Sequence, residues 1–155
     1  MQLAPVQQAI YDQIVQYNRC PIDQMHIRIE ESANQTVLLF EYEARNDSEF
    51  SVTARIGCDY FFISCDAWHE DYQISDDAEK MATKILAQLI TLFNGQTKLM
   101  IWFAGNSSVR WELMYNYRDE TWASLGTTGL IFYNYFAKKH SDEKINRLID
   151  ERLDD

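Results

Sequence analysis

The chain has 155 residues and carries 24 acidic against 14 basic side chains, a formal net charge of −10. Hydrophobic residues make up 46% and charged residues 25%, the balance of a globular chain long enough to build one core without disulfide or metal staples. No run of 18 apolar residues predicts a membrane span, the first residues lack the basic and apolar regions of a secretory signal, and the acid excess opposes phosphate contact, so neither a membrane nor a nucleic-acid partner is expected.

Residues 3–18 place Leu3, Val6, Ile10, Ile14 and Tyr17 at helical spacing, with Gln7, Gln8, Asp12 and Gln13 on the other face. This predicts an amphipathic first helix, ended by Asn18 and the step from Cys20 to Pro21. Strands follow at 25–30, 36–44, 50–56 and 60–65, each alternating apolar with polar side chains or apolar nearly throughout, and separated by short turn-rich breaks. Residues 68–72 (WHEDY) read as a loop. Ser75 or Asp76 then caps a long helix, with Glu79 placed for a capping box from Asp76 and an apolar stripe running from Ala78 to Phe93. Asn94 and Gly95 stop it. Residues 98–104 and 109–118 predict a hairpin about the Gly105–Ser108 turn. Residues 119–129 have no clear period, 130–136 lean to strand, and 141–153 predict a last helix capped by Ser141, with Asp142 and Glu143 in its first turn. The sum is a single α+β domain over 1–155: an antiparallel sheet of about six strands, meander plus hairpin, packed by a long central helix and terminal helices.

Few residues offer chemistry. Cys20, Cys58 and Cys65 are odd in number and form no CxxC, which predicts reduced thiols and a cytoplasmic setting. Cys65 and His69 are close enough in sequence to suggest a thiol nucleophile and its base, the one opening to a small enzyme or ligand-binding domain. Cys58, Cys65, Asp66, His69, Glu70 and Asp71 are rich in ligand types, but their spacing matches no zinc pattern and lacks the glycine of a calcium loop, so no metal or cofactor is expected. Glu41 and Glu43 share one strand face about 7 Å apart, and acid–base work by such a pair needs a cleft that nothing in the sequence supplies. There is no phosphate-binding glycine loop and no serine nucleophile elbow. A non-catalytic role is the expectation.

Charge is the stronger signal. Residues 24–80 hold thirteen acidic and four basic side chains, while residues 81–118 hold one acidic and four basic. Trp68 and Tyr72 stand among Asp66, Glu70, Asp71, Asp76 and Asp77, an aromatic pair ringed by carboxylates as at a contact for a cationic protein. With Glu41 and Glu43, these residues form the expected partner-binding face. In type, a small acidic domain without reaction machinery is similar to bacterial immunity proteins, which neutralise toxin domains, often nucleases whose surfaces are cationic. In element order the chain also resembles type III secretion chaperones, which are small, acidic and usually dimeric. That resemblance implies an exposed apolar strip on the long helix or on the 109–117 strand. The partner expected is a basic protein, and monomer and homodimer both remain open.

Overall fold

The computed structural model describes residues 2–17, 25–32, 34–75, 77–116, 121–130 and 134–149. Two helices and nine strands occur among them. Helix α1 spans Pro5–Tyr17, and strands β1 (His26–Glu31), β2 (Thr36–Tyr42), β3 (Val52–Ile56), β4 (Tyr60–Cys65) and β5 (Trp68–Gln73) follow. Helix α2 covers Ala78–Thr91, and β6 (Asn94–Ala104), β7 (Ser107–Asn116), β8 (Trp122–Gly129) and β9 (Lys139–Arg147) complete the order. The class is α+β, as expected, but the strands form two antiparallel sheets rather than one of about six: β1-β2-β3-β4-β5 and β8-β7-β6-β9.

The first sheet follows directly from period-two alternation. Leu38, Phe40, Val52, Ala54, Ile56, Phe61 and Ile63 point to one face and are buried. Each Val, Leu, Ile or Phe among them, withdrawn from water, contributes about 1.5–3 kcal/mol before entropy is charged against it. The α1 side chains Val6, Ile10 and Ile14 and the α2 stripe of Met81, Ala82, Ile85, Leu86, Leu89 and Ile90 join the same core. Leu99, Ile101 and Leu113 bring the second sheet into it. Leu39 is buried on the opposite face of β2, where Arg28 and Arg55 stand directly across from it on either side.

Gln7 belongs by spacing to the polar face of α1, yet it is buried. Its Nε2 donates to the carbonyls of Thr36 at 2.8 Å and Ile56 at 2.7 Å, which satisfies two strand-end acceptors that the helix would otherwise cover. Helix α2 is capped by Asp77, whose Oδ1 accepts from the amide of Lys80 at 3.0 Å; Asp76 lies outside the described residues. Gly95, expected to end the helix, instead opens β6 with φ of +80°.

Three segments differ from their sequence reading. Residues 68–72 are a strand, because a two-residue turn at Asp66 and Ala67 folds them back onto β4 with Trp68 across from Cys65. Strand β8 lies within the stretch that showed no period; residues 131–133 lie outside the described residues, and 134–137 form a turn rather than a strand. The expected last helix is β9 over residues 139–147, paired antiparallel with β6, and 150–153 lie outside the described residues. Tertiary contacts outweigh the helix-start signals here. Asn146 is buried and bonds both backbone groups of Phe50, accepting from its N–H at 3.1 Å and donating to its carbonyl at 3.0 Å. The Ile145 amide donates to Ser48 O at 2.9 Å, and the Leu148 amide to Phe93 O at 2.6 Å. A helix would leave the buried N–H and carbonyl of Phe50, just before β3, without these partners.

Candidate partner-binding surface

Strand β5 forms one edge of the first sheet, and of the acidic residues singled out from the sequence it carries Glu70 and Asp71. Alternation sends Trp68, Glu70 and Tyr72 to one face and His69 and Asp71 to the other. Glu70 and Asp71 are exposed, and neither forms an ion pair with a described residue. Asp77 lies just beyond the strand at the start of α2 and is exposed. Asp59, which sequence reasoning passed over, sits at the same end, because its carbonyl accepts from the Ile74 amide at 2.8 Å. Its signal was the turn at 57–59, read for punctuation rather than charge.

Tyr72 is half-buried between strand and helix. Its ring lies 5.0 Å from that of Phe61, the Lys84 ammonium stands 4.5 Å from its centroid, and its hydroxyl reaches Gln88 Oε1 at 3.4 Å. Burial, with Glu70 beside it, pushes the phenol up to about 12, so it stays a neutral donor.

Trp68 corrects the expectation of an exposed aromatic contact. It is 2% exposed, and its indole Nε1 donates to Gly126 O at 3.1 Å, joining β5 to β8. The apolar side chain was better satisfied between the sheets than in water, and its one polar atom found an acceptor there. Asp66 is also engaged: at φ of 49° in the β4–β5 turn, it accepts from the Ser51 amide at 2.8 Å and pairs with Lys144 at 2.8 Å.

Glu41 and Glu43 do not extend the β5 edge. Strand β2 lies three strand spacings away, about 14 Å. Glu41 is half-buried and paired with Arg28 at 3.2 Å, and Arg28 also holds Glu30 at 3.2 Å; Glu43 is exposed just past the end of β2.

The thiol–imidazole arrangement does not assemble. Cys65 lies across from Trp68, whereas His69 lies across from Ser64, so thiol and imidazole project from opposite faces of the sheet. Cys65 is buried and its thiol is pushed well above the ordinary range, first by burial and then by Asp66, which disfavours the thiolate. His69 is exposed and stacks near Phe62, with ring centroids 6.2 Å apart. Among the described residues, no three His, Cys, Asp or Glu side chains converge in a way that could hold a metal ion. The apolar strips that a secretion-chaperone groove requires are buried: the α2 stripe faces the core, and Val109, Leu113 and Tyr115 of β7 are covered.

A scan against protein-family models finds no match to this chain, and comparisons with curated proteins and with solved structures find none either.

Proposed function

We propose that the chain is a non-catalytic protein-binding domain that recognises a basic protein through the acidic edge of its first sheet, as a bacterial immunity protein does when it neutralises a nuclease-type toxin. The observation that supports this is a division among the carboxylates. Glu30, Glu41, Glu49, Asp66, Glu112 and Glu143 are paired with Arg or Lys; among the described carboxylates without such a pair, which include Glu43, Asp47, Asp59, Glu79 and Asp142, Glu70 and Asp71 are adjacent and face outward on the two sides of an edge strand. Unpaired like charges on one edge cost the free protein self-repulsion and supply complementarity to a cationic surface, raising the rate of encounter. Tyr72 and Lys84 behind the strand give that edge a rigid backing.

Charge on an edge strand also prevents edge-to-edge aggregation. Lysine does this as well as glutamate, so reversal separates the two roles. The test co-expresses the chain with the proteins encoded beside it, isolates any complex, and compares it with the Glu70→Lys, Asp71→Lys variant, which leaves the Asp77 cap of α2 in place. The expected result is a salt-sensitive complex with a basic protein, whose association slows about tenfold or more in the variant at low salt while folding stability changes by less than about 0.5 kcal/mol. An unchanged association rate would reduce the acidic edge to protection against aggregation and overturn the reading.

A further inference from the structure

The second sheet opens at one end into a cleft of about 320 Å3. Trp102 on β6, Val109 and Arg110 on β7, Leu130 just after β8 and Lys139 on β9 line it, together with Phe103. Trp102 is 38% and Leu130 51% exposed, unusually open for side chains of that size. The Arg110 guanidinium stands 5.9 Å from the Trp102 ring centroid and is held by Glu112 at 3.2 Å, while Phe103 stacks in parallel on its cross-strand neighbour His140 at 4.8 Å. The walls are therefore braced.

The sign of the cleft runs against the sign of the chain. In a protein of net charge −10, the charged residues lining this cleft among the described residues are Arg110 and Lys139, and no described carboxylate lines it. Lys139 is exposed and makes no ion pair with a described residue. Arg110 presents five N–H donors, more than Glu112 can take up. A small concave site with mostly apolar walls and a few fixed polar groups is the usual form of a small-molecule site.

We propose that this cleft binds a small organic anion with a one- or two-ring apolar body, its carboxylate received by Arg110 and Lys139 and its rings laid against Trp102 and Leu130. Charge complementarity selects this occupant. A long polyanion meets the repulsion of the whole acidic chain, whereas a single carboxylate meets only the local field.

The test titrates the isotope-labelled full chain with indole-3-acetate and, separately, with tryptamine, which carries the same ring and the opposite charge, while amide shifts are followed by NMR. The anion is expected to give saturable shifts confined to residues 102–103, 109–110, 127–130 and 139–140, with the cation at least about tenfold weaker. Lys139→Gln, at an exposed side chain that folding does not require, should weaken the anion severalfold, and Arg110→Gln with Lys139→Gln tenfold or more. Equal response to both probes, or no saturable shift, overturns the proposal. Tighter binding of a short oligothymidylate at the same amides also overturns it, in favour of a stacking platform for single-stranded nucleic acid.

Discussion

In the five-stranded sheet each strand pairs with its neighbour in sequence, and its closing edge, β5, carries acid with no ion pair among the described residues. In the four-stranded sheet β9 returns past β7 and β8 to pair with β6, and it is tied down by polar contacts: Asn146 to Phe50, Ile145 to Ser48 and Lys144 to Asp66. One sheet is specified by apolar alternation within its strands. The other depends, for its last strand, on groups that the first sheet leaves unsatisfied. The difference shows where the sheets depend on each other: Trp68 reaches from the first to β8, and β9 reaches back to the turns of the first.

The comparison breaks most severely at Trp68. Trp68→Ala removes a fully packed ring and the bond to Gly126 O, and should cost about 3–5 kcal/mol in denaturant unfolding, whereas Trp68→Phe should keep most of the packing and lose about 1 kcal/mol. A cost below about 1 kcal/mol for the alanine variant would mean that the sheets do not rely on this anchor. Next is Asn146→Ala, which strands the buried N–H and carbonyl of Phe50 and should cost about 2–4 kcal/mol, with faster amide exchange at Phe50 as its local signature. If exchange at Phe50 is unchanged, β9 does not hold the first sheet.

The smallest effect is one of pH. Glu49 is buried, receives the Tyr42 hydroxyl at 2.6 Å and pairs with Arg45, and these bonds, the one from Arg45 first, lower its pKa from 4.5 to about 2. Its folded value is depressed, so its contribution is complete above about pH 4.5 and is lost as pH falls through about 2. Stability should decline across that window, and Glu49→Gln should flatten the decline, as read from denaturation midpoints at a series of pH values. An identical slope in the variant would show that other carboxylates govern acid unfolding. At the alkaline end the Tyr42 phenol, raised to about 12 chiefly by burial, should remain protonated in the folded chain well past pH 10.

The sequence was legible wherever one periodicity dominated. Leu38 and Phe40 on β2, Val52 to Ile56 on β3, and the α2 stripe announce their elements because each buries one face only. Strand β5 was hidden because only Trp68 of its six residues is buried, so the run looks polar. Strand β8 contains Gly126, where φ is +153° and the chain departs from regular pairing. Strand β9 imitates a helix start through Ser141, Asp142 and Glu143, and the buried Asn146 that settles its conformation has meaning only beside Phe50, 96 residues earlier. The site divided along the same line: exposed charge at Glu70 and Asp71 can be read residue by residue, whereas the burial of Trp68 and the gathering of Arg110 and Lys139 depend on strands whose pairing the sequence does not display.

The order of the strands also bears on how the chain folds. Closing short loops is cheap and fast, so the five hairpin-linked strands can form from successive local events, each stabilising the next. Strand β9 has no such local partner: it pairs with a strand some forty residues earlier and closes onto turns nearly a hundred residues earlier. Its docking is expected on the late, downhill side of the folding barrier. Damage there should shorten the lifetime of the native state and leave the rate of reaching it almost untouched, whereas damage in the meander should delay folding itself.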